Sequence, residues 1–170
     1  MDFNNFLVFS TISTLSFMGI ITGYILTVIA PEEIKPGNHI FKTFVRICYA
    51  MLLVVFVHSF NMNLIIEIIF LLVIILMMCF VPLNDILILI TSGIILAYST
   101  ISKQMLFLTA ILNFLTGAAL VGIFSFKYIK KDELTIKKTK FLTDVVIRYG
   151  LYLITTPLTY LILTAFKFLY

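Results

Sequence analysis

The chain has 170 residues, of which 62% are hydrophobic and 12% are charged, and its formal net charge is +4. A soluble domain has about 25% charged residues, so this composition excludes a water-soluble fold. We predict one all-α integral membrane domain covering residues 1–170. The excess positive charge lies beside apolar runs, which indicates anionic lipid headgroups and not nucleic acid as its partner.

The apolar runs predict a bundle of six transmembrane helices, since one membrane helix needs about 20 apolar residues. Polar turn signals at residues 61–63 and 82–85 separate neighbouring runs. The second and fourth runs are short and would need flanking residues to cross. The predicted spans are residues 6–30, 44–60, 64–81, 86–101, 105–125 and 145–166. Asp2 stands where a signal peptide would be basic, so we expect the first span to remain in the protein.

Small and polar residues form one helical stripe on the first span and another on the fifth. Such residues let two backbones approach closely, so we predict a packing seam between these spans. The alternative is a polar path or ligand site at mid-depth around Asn113. The seam residues are Ser13, Ser16, Gly19 and Gly23 on the first span, and Thr109, Asn113, Thr116 and Gly117 on the fifth.

The segment after the first span, residues 29–37 with the sequence IAPEEIKPG, resembles a segment of small uncharacterised archaeal polytopic membrane proteins. The resemblance covers under a tenth of the chain. It implies a location in the plasma membrane. It implies no mechanism and no functional residues.

His58 and Glu67 form a candidate polar pair across the turn between the second and third spans. A carboxylate inside an apolar run is a functional candidate, and the pair could relay a proton or bind a cation. The simpler interpretation, which we favour, is that Glu67 reaches the outer headgroups and His58 lies at the interface. Two ligands alone make a weak metal site, so we predict no metal.

The basic residues predict the orientation of the six spans. Alternating the spans through the membrane leaves only Lys103 and Lys167 on one side and ten basic residues on the other, which is therefore cytoplasmic, with both termini outside the cytoplasm. If the third and fourth runs were one helix broken at Pro82, this bias would vanish. The ten residues are Lys35, Lys42, Arg46, Lys127, Lys130, Lys131, Lys137, Lys138, Lys140 and Arg148. Among them Lys130, Lys131, Lys137, Lys138 and Lys140 form a face suited to anionic lipid or a partner.

An internal repeat appears when the chain is compared with itself at an offset of 100 residues. Two explanations remain open. One is a duplication that relates the first and last hairpins as a parallel repeat, and the other is convergence of two similar helical units. The identical pairs are Glu33/Glu133, Phe41/Phe141, Thr43/Thr143, Val45/Val145, Ile47/Ile147, Tyr49/Tyr149 and Leu53/Leu153.

The sequence contains no catalytic or cofactor-binding motif, so we predict a non-enzymatic protein without cofactor. Two functions remain. The first is a membrane subunit or scaffold that packs with itself or with other membrane subunits and presents a basic cytoplasmic face. The second is a small oligomeric transporter or channel that uses the seam between the first and fifth spans. The absence of a charged residue at the midplane favours the first, since coupled transport usually needs one.

Overall fold

The computed structural model describes residues 3–60, 63–80, 84–128 and 138–167. These residues form six α-helices and three short 3₁₀ turns, with no strand in the described ranges. The predicted all-α class is therefore confirmed. The helices are α1 (Phe3–Ile29), α2 (Ile34–His58), α3 (Leu64–Phe80), α4 (Asp85–Tyr98), α5 (Lys103–Ser125) and α6 (Lys138–Lys167). The 3₁₀ turns are Pro31–Glu33, Ser99–Ile101 and Phe126–Tyr128.

Four helices, α1, α2, α5 and α6, are long and apolar enough to cross a membrane. The helices α3 and α4 are apolar but shorter, with 17 and 14 residues. At a rise of 1.5 Å per residue they extend about 26 Å and about 21 Å, against a hydrocarbon core of about 30 Å. The described chain is thus all-helical, with four helices whose length and composition suit a membrane span.

Two predicted loops are partly helical, which corrects the predicted boundaries. The helix α2 begins at Ile34 instead of residue 44, and α6 begins at Lys138 instead of residue 145. Both extensions bury an apolar side chain, Ile34 in one and Phe141 in the other, while polar neighbours remain exposed. Pro36 does not prevent the extension because it lies in the first turn, where its missing N–H would have no intrahelical partner. The prediction that the second span is short was wrong.

The contacts between α1, α2, α4, α5 and α6 show the relative directions of these helices. The helices α1 and α5 run parallel to each other, and so do α4 and α6. The helix α2 runs antiparallel to α5, and α6 runs antiparallel to α1. The contact pairs that establish this are Gly19–Phe114 and Gly23–Ala118, Asp85–Arg148 and Gly93–Thr156, Phe41–Gly122 and Cys48–Thr116, and Phe9–Tyr160 and Tyr24–Phe141.

The helix α5 lies at the centre of the bundle, packed extensively against α1 and α2 and also against α4. The helix α6 packs against α4 and α1. The helix α3 packs chiefly against α2, and most of its described side chains are exposed. A helix that is apolar on every side suits a position facing lipid.

Four of the matched pairs have the same burial in α2 and α6, whereas Phe41/Phe141 and Leu53/Leu153 differ in burial. Each of these helices also packs against the first helix of the other hairpin: α2 packs against α5, and α6 packs against α1. The buried pairs are Val45 with Val145 and Tyr49 with Tyr149, and the exposed pairs are Thr43 with Thr143 and Ile47 with Ile147.

Candidate functional site

The predicted seam residues meet at the interface between α1 and α5, where two glycines bring the backbones into contact. A Cβ atom on Gly19 would lie 2.0 Å from the carbonyl oxygen of Phe114, and one on Gly23 would lie 2.4 Å from that of Ala118. Real Cβ atoms do not approach a backbone oxygen so closely. Any larger residue would therefore force the two helices apart.

The other predicted seam residues are buried beside these glycines. Ser16 Oγ donates to the carbonyl of Ile12 in its own helix at 3.0 Å and lies 3.3 Å from the carbonyl of Ala110 on α5. A Cβ on Gly117 would lie 3.0 Å from the Ile20 side chain. The hydroxyl of Ser16 is therefore used within α1 and towards α5, and the glycine contacts leave no space for a passage beside it.

Asn113 connects α5 to two further helices. Its Nδ2 atom donates to the backbone carbonyl of Ser92 on α4 at 3.2 Å and to the hydroxyl of Tyr152 on α6 at 3.3 Å. Asn113 and Tyr152 are 3% and 2% exposed. The sequence indicated Asn113 but not its partners, which lie on helices that we had not assigned to the seam. The small residues Ser92 and Gly93 in the fourth apolar run could have indicated this close contact, because Gly93 leaves room for Thr156 of α6.

The structure brings His58 and Glu67 together. Their Nδ1 and Oε1 atoms lie 2.9 Å apart, and the pair joins the last turn of α2 to the first turn of α3. The side chain of His58 is 57% exposed and that of Glu67 is 22% exposed. Aromatic rings of Phe56, Phe60 and Tyr98 pack together near this end of the bundle. The pair therefore closes a helical hairpin at its exposed end.

A second ion pair, which the sequence analysis did not identify, joins α4 to α6. Arg148 donates from Nε and Nη2 to the two carboxylate oxygens of Asp85, with both distances 2.6 Å. The Tyr149 hydroxyl lies 3.3 Å from Asp85 Oδ2, and the Arg148 guanidinium lies 4.9 Å from the centre of the Phe124 ring. Such a bidentate pair is strong and fixes geometry. The six-span topology places both residues on the cytoplasmic side and could have indicated this pair. The two residues are 63 positions apart in sequence, however, so no local pattern connects them.

One helical turn from Arg148, the Tyr128 hydroxyl donates to the carboxylate of Asp144. This hydrogen bond, with smaller contributions from burial and from the carboxylate charge, raises the pKa of Tyr128 above its ordinary value. The hydrogen bond therefore holds the turn after α5 against the start of α6.

A largely apolar cavity of about 220 Å³ lies at the end of α1 near α2 and α5. Its one hydroxyl, that of Thr27, donates to the carbonyl of Gly23 at 2.7 Å. Asn113 is not among its lining residues, so this cavity is separate from the polar centre of the bundle. The lining residues are Gly23, Leu26, Thr27, Ala30, Glu33, Ile34, Phe41, Ala118 and Gly122.

The predicted basic face falls mainly beyond the described ranges. Lys130, Lys131 and Lys137 lie outside the described residues. Lys138 is the first residue of α6, and Lys140 is exposed in its first turn. In the part of the chain that the structure describes, no group of three or more His, Cys, Asp or Glu side chains could hold a metal ion.

Comparison with known proteins found no family model, no curated protein and no solved structure that matches this chain.

Proposed function

We propose that the protein crosses the membrane six times with both termini outside the cytoplasm. The parallel contact between α1 and α5 supports this over a five-span arrangement. Two spans point the same way only when an odd number of spans lies between them in the chain, as α2, α3 and α4 do if each crosses. If α3 and α4 were a single broken helix, α1 and α5 would point in opposite directions. We place the protein in the plasma membrane, and the basic residues favour the orientation in which Lys140 and its neighbours are cytoplasmic.

The ion pair of Asp85 and Arg148 supports assigning α3 and α4 as spans. Arg148 lies 19 residues before Lys167, which corresponds to about 28 Å along α6. This is nearly the whole hydrocarbon core of about 30 Å. Asp85 is therefore close to the cytoplasmic boundary, although α4 is only about 21 Å long. Because α4 is short, Asp85 at its first residue would lie below the headgroups, where the guanidinium of Arg148 compensates the charge of its carboxylate.

We further propose that the protein is a non-enzymatic membrane subunit or scaffold that binds anionic lipid and packs with itself or with other membrane subunits. The observation that carries this proposal is the backbone contact at Gly19 and Gly23. It makes the seam between α1 and α5 a packing surface, whereas a transport path would need space there. The exposed apolar sides of α3 leave a surface on which another membrane helix could pack.

Cysteine crosslinking in native membranes tests the proposal. A Cys48→Ser, Cys79→Ser background would carry Ile69→Cys on α3, with Ile154→Cys on α6 as the matched exposed control. A subunit that associates through α3 should give crosslinked dimers or adducts from Ile69→Cys and far fewer from Ile154→Cys. A chain that remains monomeric in both variants, and that elutes as a monomer in mild detergent, contradicts the proposal.

The buried polar centre favours a second candidate, a small oligomeric transporter or channel. Asn113, Ser92 and Tyr152 join three helices through polar contacts near mid-depth. Polar residues at this depth mark the substrate site in many transporters. In this candidate the seam between α1 and α5 would have to open during transport. Flux in proteoliposomes distinguishes it from the scaffold.

We also propose that the first and last hairpins arose by duplication. The equivalent tyrosines both reach α4: Tyr49 hydrogen-bonds Thr91 at 2.7 Å, and Tyr149 lies 3.3 Å from Asp85. In each hairpin the second helix packs against the first helix of the other hairpin, α2 on α5 and α6 on α1, which also supports a parallel repeat. The symmetry is approximate. At an offset of 100 residues the equivalent of Gly19 is residue 119, but Gly19 faces Phe114.

A further inference from the structure

Three side chains in the middle of the bundle have a buried oxygen without a hydrogen-bond partner. They are Ser13 and Thr109, through their hydroxyls, and Asn113, through its side-chain carbonyl. Ser13 is 4% exposed, Asn113 is 3% exposed and Thr109 is fully enclosed. An unpaired buried polar group costs folding free energy, so each such group calls for an explanation.

The other buried hydroxyls show that Ser13 and Thr109 are unusual. Nine Ser and Thr side chains are buried in the described part of the chain. Seven of them donate to a backbone carbonyl three or four residues earlier in their own helix, the usual solution for a hydroxyl in an apolar helix. These seven are Ser16, Thr27, Ser92, Ser99, Thr116, Ser125 and Thr156.

The residues that carry these oxygens are connected through α5 and Tyr152. Thr109 and Asn113 are one turn apart on the same face of α5. Ser13 of α1 lies beside the hydroxyl of Tyr152, which is also the group that receives a hydrogen bond from Asn113 Nδ2. Asn113 is ten residues beyond the start of α5, or about 15 Å, which is half of a core of about 30 Å.

The hydrogen-bonding capacities of these groups match those of water. The two hydroxyls each have a proton to donate, whereas Asn113 Oδ1 can only accept. Both amide protons of Asn113 are already directed at Ser92 and Tyr152. A buried water typically makes about three hydrogen bonds. It can accept from Ser13 and Thr109 and donate to Asn113. A cation fits less well, because none of these side chains carries a compensating charge.

We propose that Ser13, Thr109 and Asn113 bind one internal water molecule at the mid-depth of the bundle, joining α1 to α5. The site lies beside the glycine contact and supplies the polar component of the same interface. This inference does not depend on whether the protein is a scaffold or a transporter, since it concerns the closed seam that the structure describes.

The substitution Thr109→Val tests the proposal through the sign of its effect on the thermal midpoint of the intact protein in lipid nanodiscs. It removes the hydroxyl and keeps the shape. If the hydroxyl binds water, the midpoint should fall by several degrees. If the hydroxyl is unpaired, its removal should leave the midpoint unchanged or raise it, and this result would overturn the proposal.

The control is Thr116→Val, on the same helix and 1% exposed, whose hydroxyl donates to the carbonyl of Leu112 at 2.7 Å. It measures the cost of exchanging Thr for Val where the hydroxyl already has a partner in its own helix, and its midpoint should fall less than that of Thr109→Val. Ser13→Ala and the double variant provide a second measurement. If one water serves both hydroxyls, the double variant should lose less than the two single losses added together. Additive losses contradict a shared water.

A direct measurement is magnetisation transfer from water protons to the ¹⁵N-labelled side-chain amide of Asn113 by solid-state NMR. We expect transfer in the parent and in Thr116→Val, and its loss in Thr109→Val. Absence of transfer in the parent overturns the proposal. A midpoint that rises with sodium chloride but not with choline chloride would assign the site to a cation and would also overturn it.

Discussion

The guanidinium of Arg148 holds both carboxylate oxygens of Asp85 at 2.6 Å, so the last helix is fixed to the first residue of the fourth. Their side chains are only 31% and 21% exposed. Asn84 caps the same end of α4 by accepting from the N–H of Ile86 at 3.1 Å. The pair therefore fixes the start of the short, apolar helix α4 against α6.

We expect Arg148→Ala to destabilise the protein by about 3 kcal/mol, the lower end for breaking a buried pair, because it leaves Asp85 unpaired. The double variant Asp85→Leu, Arg148→Met removes both charges and should recover most of this loss. Unfolding in detergent, followed by helical circular dichroism, gives the free energies. Equal stabilities for the parent and Arg148→Ala would mean that water already screens the pair.

The contact between α1 and α5 predicts that even one added methyl group is disruptive at Gly19. Gly19→Ala should lower stability by about 1–3 kcal/mol or more, since its Cβ would collide with the Phe114 carbonyl oxygen, which belongs to the backbone and cannot move aside. Gly19→Leu should be worse. The measurement is the thermal midpoint in detergent or nanodiscs.

Gly150→Ala is the matched control, because an added Cβ there would meet nothing within 4 Å. Removing a glycine from the interior of α6 should stabilise the helix by about 0.5–1 kcal/mol. Opposite signs for the two Gly→Ala changes are expected. A Gly19→Ala variant that melts at or above the parent temperature would show that the seam is placed wrongly.

The sequence predicted the helices and the seam because both depend on local patterns. Apolar runs define spans, and small residues at helical spacing define a face, as Gly19 and Gly23 do. It did not predict the early start of α2 at Ile34, because charged and turn-forming residues there obscured an amphipathic helix whose apolar positions pack on the bundle. The pairing of Asp85 with Arg148 depends on the packing of two distant helices, which a single sequence does not specify.

The six-span topology predicts that the two ends of the bundle are accessible from opposite sides. Lys103→Cys and Lys140→Cys, both at exposed positions, should be placed singly in a Cys48→Ser, Cys79→Ser background. An impermeant maleimide applied to intact cells should label Lys103→Cys, whereas Lys140→Cys should react only after the cells are opened. Labelling of both variants from the same side contradicts six spans.

Glu67 distinguishes the two functions. Glu67→Gln keeps the shape of the side chain and removes its carboxylate. The pair with His58 is partly exposed, at 57% for the histidine side chain, so its loss should cost no more than about 1 kcal/mol. In a scaffold the variant should therefore fold and associate like the parent, and neither protein should carry solute or ion flux in proteoliposomes.

In a transporter that uses this carboxylate, the parent should show pH-dependent flux and Glu67→Gln should lose it while remaining folded. His58→Gln is the companion variant: loss of flux in both would assign the pair a role in transport. We expect the scaffold result, and robust flux from the parent that disappears in Glu67→Gln would replace the first proposed function with the second.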